Sequence, residues 1–150
     1  MSRIPTALRR RVRERARSLC EYCRSLMDYT GHEFTIDHII PESKGGVSEF
    51  DNLCVCCFWC NNYKASHTRF NDPRTRRIVR LFNPRTDDWD GHFRWSSTFT
   101  RISGRTSVGR ATVNALRLNR EALVRSRRIW VRNGLHPPDR LFAQISLRER

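Results

Sequence analysis

Four cysteines in two pairs, Cys20-x-x-Cys23 and Cys57-x-x-Cys60, have the spacing that closes around one tetrahedral metal ion. Cys54-x-x-Cys57 has the same spacing and Cys56 is a further thiol, so spacing alone leaves the second pair open. No thioredoxin-type βαβ pattern surrounds either pair, which argues against a redox dithiol. Between the pairs, "FTIDHIIPESKGG" (34–46) sets Asp37 beside His38 at the end of a β-branched run and then breaks into a loop. A carboxylate is a hard ligand for a divalent cation, and an imidazole with a pKa near 6.5 can take a proton from water at neutral pH. Alone at a strand end such a pair is ordinary surface chemistry; its meaning depends on its surroundings.

Those surroundings are strongly basic. The chain has 150 residues and a formal charge of +14, carried almost wholly by arginine, with Lys44 and Lys64 the only lysines. Guanidinium groups bind phosphate oxygens in pairs and displace condensed counterions, so the expected partner is nucleic acid. Residues 1–19 lack the apolar core of a signal peptide, and no run reaches the roughly 18 apolar residues of a membrane span. A cytoplasmic protein without membrane contact is expected, and in that compartment paired cysteines indicate metal rather than disulfides.

"CEYC", "DHIIPESKGG", "DNL" and "CFWCNNYK" occur in the order of the HNH endonuclease motif, D-H-I-x-P-x-S-x-G-G followed by N-L and C-x-x-C-N-x-x-K, and residues 20–68 resemble that family. The C-terminal "HFRW", "GRTSVGRATV" and "LNREALVRSRRIW" resemble a region that follows the motif in short bacterial members, to which no chemistry is attached. The resemblance implies an α+β fold with a ββα-metal core, a β-hairpin and a helix around a catalytic ion. It implies that His38 activates water, that Asp37 and Asn61 hold Mg²⁺ or Mn²⁺, and that Asn52 braces the loop behind His38. It also favours Cys57 and Cys60 as partners of Cys20 and Cys23 around a structural Zn²⁺, because Cys60 then anchors Asn61. Cys54 and Cys56 become small core residues. Lys64, on one helical face with Asn61, is expected to reach the phosphate, and Arg69 to touch the DNA backbone. Arg9, Arg10, Arg11, Arg74, Arg76 and Arg77 are further backbone candidates. The implied activity is hydrolysis of DNA phosphodiester bonds. A zinc-bound nucleic-acid-binding module without catalysis is the alternative, and an RNA-directed protein a remoter one. A homodimer or a targeting partner would be compatible with either.

Positioning these residues requires particular elements. "PTALRRRVRERARSL" (5–19) predicts an amphipathic helix opened by proline. "EFTIDHII" predicts a strand ended by Pro41, "LCV" a short returning strand, and "CNNYKASHT" a helix starting after the last cysteine. Gly45 and Gly46 are expected to give the loop unusual backbone angles. "DPRTRRIVRLFNPRTDDWDG" (72–91) reads as irregular, "HFRWSSTFTRISG" as a hairpin, and 106–133 as one long helix stopped at Gly134. One domain over 1–150 is expected, with 70–150 an extension packed on the core. His32, His67, His92 and His136 show no ligand spacing, although His67 lies near enough to the site for a phosphate or metal role. Trp59, Trp89, Trp95 and Trp130 are read as packing residues.

Overall fold

The computed structural model describes residues 3–149 and is a mixed α and β structure. The β-branched run pairs first: β1 (Thr35–His38) and β2 (Leu53–Cys56) form an antiparallel hairpin in which Asp37 faces Cys54 and His38 faces Leu53. Period-2 alternation sends Asp37 and Ile36 to opposite faces. β1 is shorter than the expected run because beyond His38 the chain bonds to Asn52 instead of a strand. The Ile39 N–H donates to the Asn52 carbonyl at 2.9 Å and the Ile40 N–H to Asn52 Oδ1 at 2.9 Å.

The helix after β2, α2 (Phe58–Lys64), begins earlier than expected. Cys57 is its N-cap, with Sγ accepting the Cys60 N–H at 3.4 Å, so the second cysteine pair is the first turn of the helix. The N-terminal helix α1 (Thr6–Ala16) is shorter than predicted, since Arg17 and Ser18 turn into the left-handed region at φ 52° and 59°. That turn brings Leu19 into a bridge with Leu26 and frames the Cys20–Cys23 knuckle. Val12 and Ala16 bury the inner face of α1, and Arg15 donates to the Phe50 and Leu53 carbonyls at 2.8 and 2.6 Å with its guanidinium 3.8 Å over the Phe50 ring.

The remaining chain departs further from the sequence expectation. The stretch read as irregular supplies β4 (Ile78–Arg80), which pairs with β3 (Arg69–Asn71) just before it to form an unexpected hairpin. α3 (Trp89–His92) leads into the expected second hairpin, β5 (Phe93–Trp95) with β6 (Ile102–Gly104). The single long helix is two, α4 (Ser107–Ala115) and α5 (Glu121–Arg132), broken at Arg117, φ 48°. Leu116 and Leu118 explain the break: two positions apart, they would point to opposite sides of a helix, yet both are fully buried. Asn119 then clamps Ile102, accepting from its N–H at 2.7 Å and donating to its carbonyl at 2.8 Å. Beyond Gly134 a further helix, α6 (Pro138–Arg148), forms where no element was expected.

"GRATVNALRLN" is a clasp. Arg110 grips the buried Asp72 with two bonds of 2.9 Å, and the Thr112 hydroxyl takes the Phe82 N–H at 2.9 Å. Gly109 lies so close to the His92 carbonyl that a Cβ would stand 2.0 Å from its oxygen. The extension is tied to the first knuckle by an Arg85–Glu21 ion pair, by Trp89 Nε1 donating to the Tyr22 carbonyl at 3.1 Å, and by Arg127 donating to the Cys23 carbonyl at 3.4 Å. No helix among the described residues is long and apolar enough to cross a membrane.

Candidate active site and metal centre

The two knuckles meet. The sulfurs of Cys20, Cys23, Cys57 and Cys60 all lie within 4.8 Å of one another, every one buried, and the Cys23 and Cys57 sulfurs are 3.9 Å apart. Four sulfurs about 2.3 Å from a tetrahedral Zn²⁺ stand about 3.8 Å from each other, so the donor set and its spacing fit zinc. Cys54 and Cys56 lie outside the cluster; Cys54 Sγ is 3.7 Å from the Tyr22 hydroxyl, and burial pushes its thiol up to about 12. Four thiolates around one dication carry an excess of two negative charges. Arg120, unremarked in the sequence, faces them, with Nη2 3.7 Å from Cys57 Sγ and Nη1 4.0 Å from Cys60 Sγ. An arginine inside the one long helix that the sequence predicts over 106–133 gave no signal of that role.

His38 closes β1 with a largely buried imidazole whose Nε2 is 2.8 Å from Ser48 Oγ and 3.9 Å from a Glu42 carboxylate oxygen. Ser48 was missed because it belongs to the loop, and only loop closure brings it back to the strand. Asn52 performs that closure: besides Ile40 N–H, its carboxamide donates to the Ile40 carbonyl at 3.0 Å and the Val47 carbonyl at 2.9 Å. The two glycines act differently from each other. Gly45 takes φ 85°, whereas Gly46 is required by close approach, since a Cβ there would lie 1.7 Å from the Ile40 carbonyl oxygen.

Lys64 stands elsewhere than the sequence reading put it. It is 2% exposed, with Nζ 2.9 Å from Asp37 Oδ2 and donating to the His38 carbonyl at 3.1 Å. Its long aliphatic stem threads the core between α2 and β1, so the ammonium meets the carboxylate from inside rather than a phosphate from outside. Burial pushes the Asp37 carboxyl up, and the ammonium opposes that shift. Asp37 Oδ2 accepts no well-aligned hydrogen bond despite being buried. Asn61, one turn before Lys64 and on the same side of α2, is half-buried, and its carboxamide has no hydrogen-bond partner among the described residues. A carboxylate and a carboxamide are suitable oxygen donors for a hard cation, although the Lys64 ammonium already occupies Asp37 Oδ2.

Arg69 is exposed at the start of β3, with Nη2 donating to the Ile78 carbonyl at 3.2 Å. His67 is exposed and packs edge-on to Phe70, beside Lys64 and Arg80 in a cleft of about 300 Å³. His92 bonds Thr106 at 2.6 Å, and the buried His136 is pushed down to about 4 by desolvation. Trp89 is buried, but Trp59 is 47% exposed, against its reading as a packing residue.

A β-hairpin and a helix meet at a four-cysteine cluster that could hold a metal ion, with a histidine and a buried carboxylate at the strand end. Residues 20–75 match the HNH endonuclease family, a span that holds β1, β2, α2 and all four clustered cysteines. The family implies a nucleic-acid substrate. No curated protein and no solved structure matches the chain.

Proposed function

We propose that the protein is a divalent-metal-dependent endonuclease that hydrolyses DNA phosphodiester bonds. The observation that supports this reading is the HNH match over residues 20–75, within which β1 ends in the neighbouring pair Asp37 and His38, the His38 imidazole held 2.8 Å from Ser48 Oγ and the buried Asp37 carboxylate paired with Lys64. Asp37 and Asn61 would hold Mg²⁺ or Mn²⁺, which supplies neutralisation of charge on the phosphate and on the departing 3′ oxygen. In the tautomer that carries its proton on Nε2 and donates it to Ser48 Oγ, 2.8 Å away, the lone pair of His38 Nδ1 would accept a proton from water. The water oxygen bonds to phosphorus, the bond from phosphorus to the 3′ oxygen breaks, and that oxygen takes up a proton. The products carry 5′ phosphate and 3′ hydroxyl ends. Asn52 holds the loop that carries Ser48, and the four-cysteine cluster, with Zn²⁺, fixes the start of α2 and hence Asn61.

One observation favours the second reading, a zinc-bound nucleic-acid-binding module without catalysis: the Lys64 ammonium already neutralises Asp37. Purified protein incubated with supercoiled plasmid, with Mg²⁺ or Mn²⁺ and without, beside His38→Ala, separates the two. Cutting that requires the ion and is lost in His38→Ala supports the nuclease. Binding without cutting under either ion supports the module, and undiminished cutting by His38→Ala refutes the mechanism.

A further inference from the structure

A cavity of about 400 Å³ opens between α2, α5 and the segment after the first knuckle, walled by Tyr29, His32, Trp59, Tyr63, Arg120 and Trp130. Trp59 and Tyr63 are one turn apart on α2, on the side turned away from Asn61 and Lys64, so this cavity is distinct from the cleft beside the proposed catalytic residues. Its size is that of a small-molecule site. The lining combines aromatic faces with the Thr30 and Ser126 hydroxyls, the Cys57 sulfur of the cysteine cluster and an arginine, and contains no carboxylate.

The aromatic wall is layered. The Arg117 guanidinium lies 4.8 Å over the Tyr63 ring, and the Trp59 ring stacks near-parallel to Tyr63 at 6.0 Å and 27°. Phe58 supports Trp59 edge-on at 5.2 Å. Trp59 remains 47% exposed and Tyr29 38% exposed, large aromatic surfaces left in water in a cavity bordered by Arg120, with Arg117 over Tyr63 lining the neighbouring cleft. A flat, π-faced group attached to negative charge satisfies both features, and stacking on aromatics beside arginine is how proteins hold unpaired bases.

We infer that this cavity takes one unpaired nucleobase of DNA, stacked on Trp59, with the adjoining phosphates drawn by Arg117 and Arg120. The inference rests on the proposed nucleic-acid substrate and extends it: the preferred target is DNA carrying an unpaired or displaced base rather than uniform duplex. The arginine that borders the cavity also faces the cysteine cluster, so the base site is built on the rigid metal knuckle.

The test uses the full zinc-loaded chain with His38→Ala to prevent cutting, and fluorescence anisotropy on a labelled duplex with and without a central bubble of three mismatches. Trp59→Ala in that background should weaken binding to the bubble by about 5- to 150-fold, the worth of one stacked base, and leave the perfect duplex within about twofold. Trp59→Phe should restore most of the loss, and 2-aminopurine in the bubble should be quenched by the parent but not by Trp59→Ala. Equal loss on both DNAs, or none on the bubble, overturns the inference. If the wild-type protein cuts plasmid while Trp59→Ala binds the bubble as the parent does, the cavity assignment falls alone. If neither DNA is bound at low salt, the nucleic-acid reading falls with it.

Discussion

Replacing Lys64 by methionine keeps the buried stem and removes the ammonium, leaving the Asp37 carboxylate without its counter-charge. At 2.9 Å and an effective dielectric of about 20, the pair attraction is about 6 kcal/mol. Relief from burying the ammonium offsets part of it, and breaking a buried pair from one side typically costs about 3–5 kcal/mol. With a urea slope of about 2 kcal/mol per molar, the unfolding midpoint of Lys64→Met should fall by about 1.5–2.5 M at pH 7. The pH dependence has a definite sign. Asp37 is already pushed up by burial, and loss of Lys64 pushes it higher, so the folded variant holds its proton more tightly than the unfolded chain. The deficit is therefore complete above the raised folded value and shrinks as pH falls through it towards the unfolded value of about 3.9. The double variant Asp37→Asn with Lys64→Met leaves no buried charge and should recover at least half of the loss. A single variant within about 1 kcal/mol of wild type at pH 7, or a double variant no better than the single, refutes the view that this ammonium holds the carboxylate.

Cys57→Ser and Cys60→Ser should each lose the zinc, whereas Cys54→Ala and Cys56→Ala should keep one zinc per chain by plasma mass spectrometry, because only the former pair joins the cluster. Asp72→Asn should lower the melting temperature at neutral pH by loosening α4 from the β3–β4 hairpin. Two bonds from Arg110 hold the Asp72 carboxyl well below the usual carboxylate range. That stabilisation is present above the unfolded value near 3.9 and lost as pH falls through the lower folded one, so melts at pH 7, 4 and 2.5 should show the gap from wild type closing with acid.

Where the chemistry is local, the residues announce it. Cys20 and Cys23, and Cys57 and Cys60, fall on tight turns or one helical turn, so the x-x spacing itself puts each pair on one side of the chain. Asp37 and His38 end a β-branched run, and Asn61 with Lys64 keep helical spacing, so their elements were readable without coordinates. Asn52 bonds the backbone across the loop because the chain between it and Ile40 is short enough to close on it.

Tertiary structure alone decided which way each of these groups faces. Lys64 reads as a surface cation until burial between α2 and β1 turns its ammonium onto Asp37. Ser48 and Arg120 acquire partners only when loop closure and the turn after α4 bring them back to residues distant in sequence. The break between α4 and α5 arises because Leu116 and Leu118 both find buried seats, a packing gain that overrides uninterrupted helical periodicity. Sequence thus determined the inventory and the local spacing, which short-range backbone geometry controls. The pairing of distant side chains depends on which apolar surfaces bury together, and that is a property of the whole folded chain.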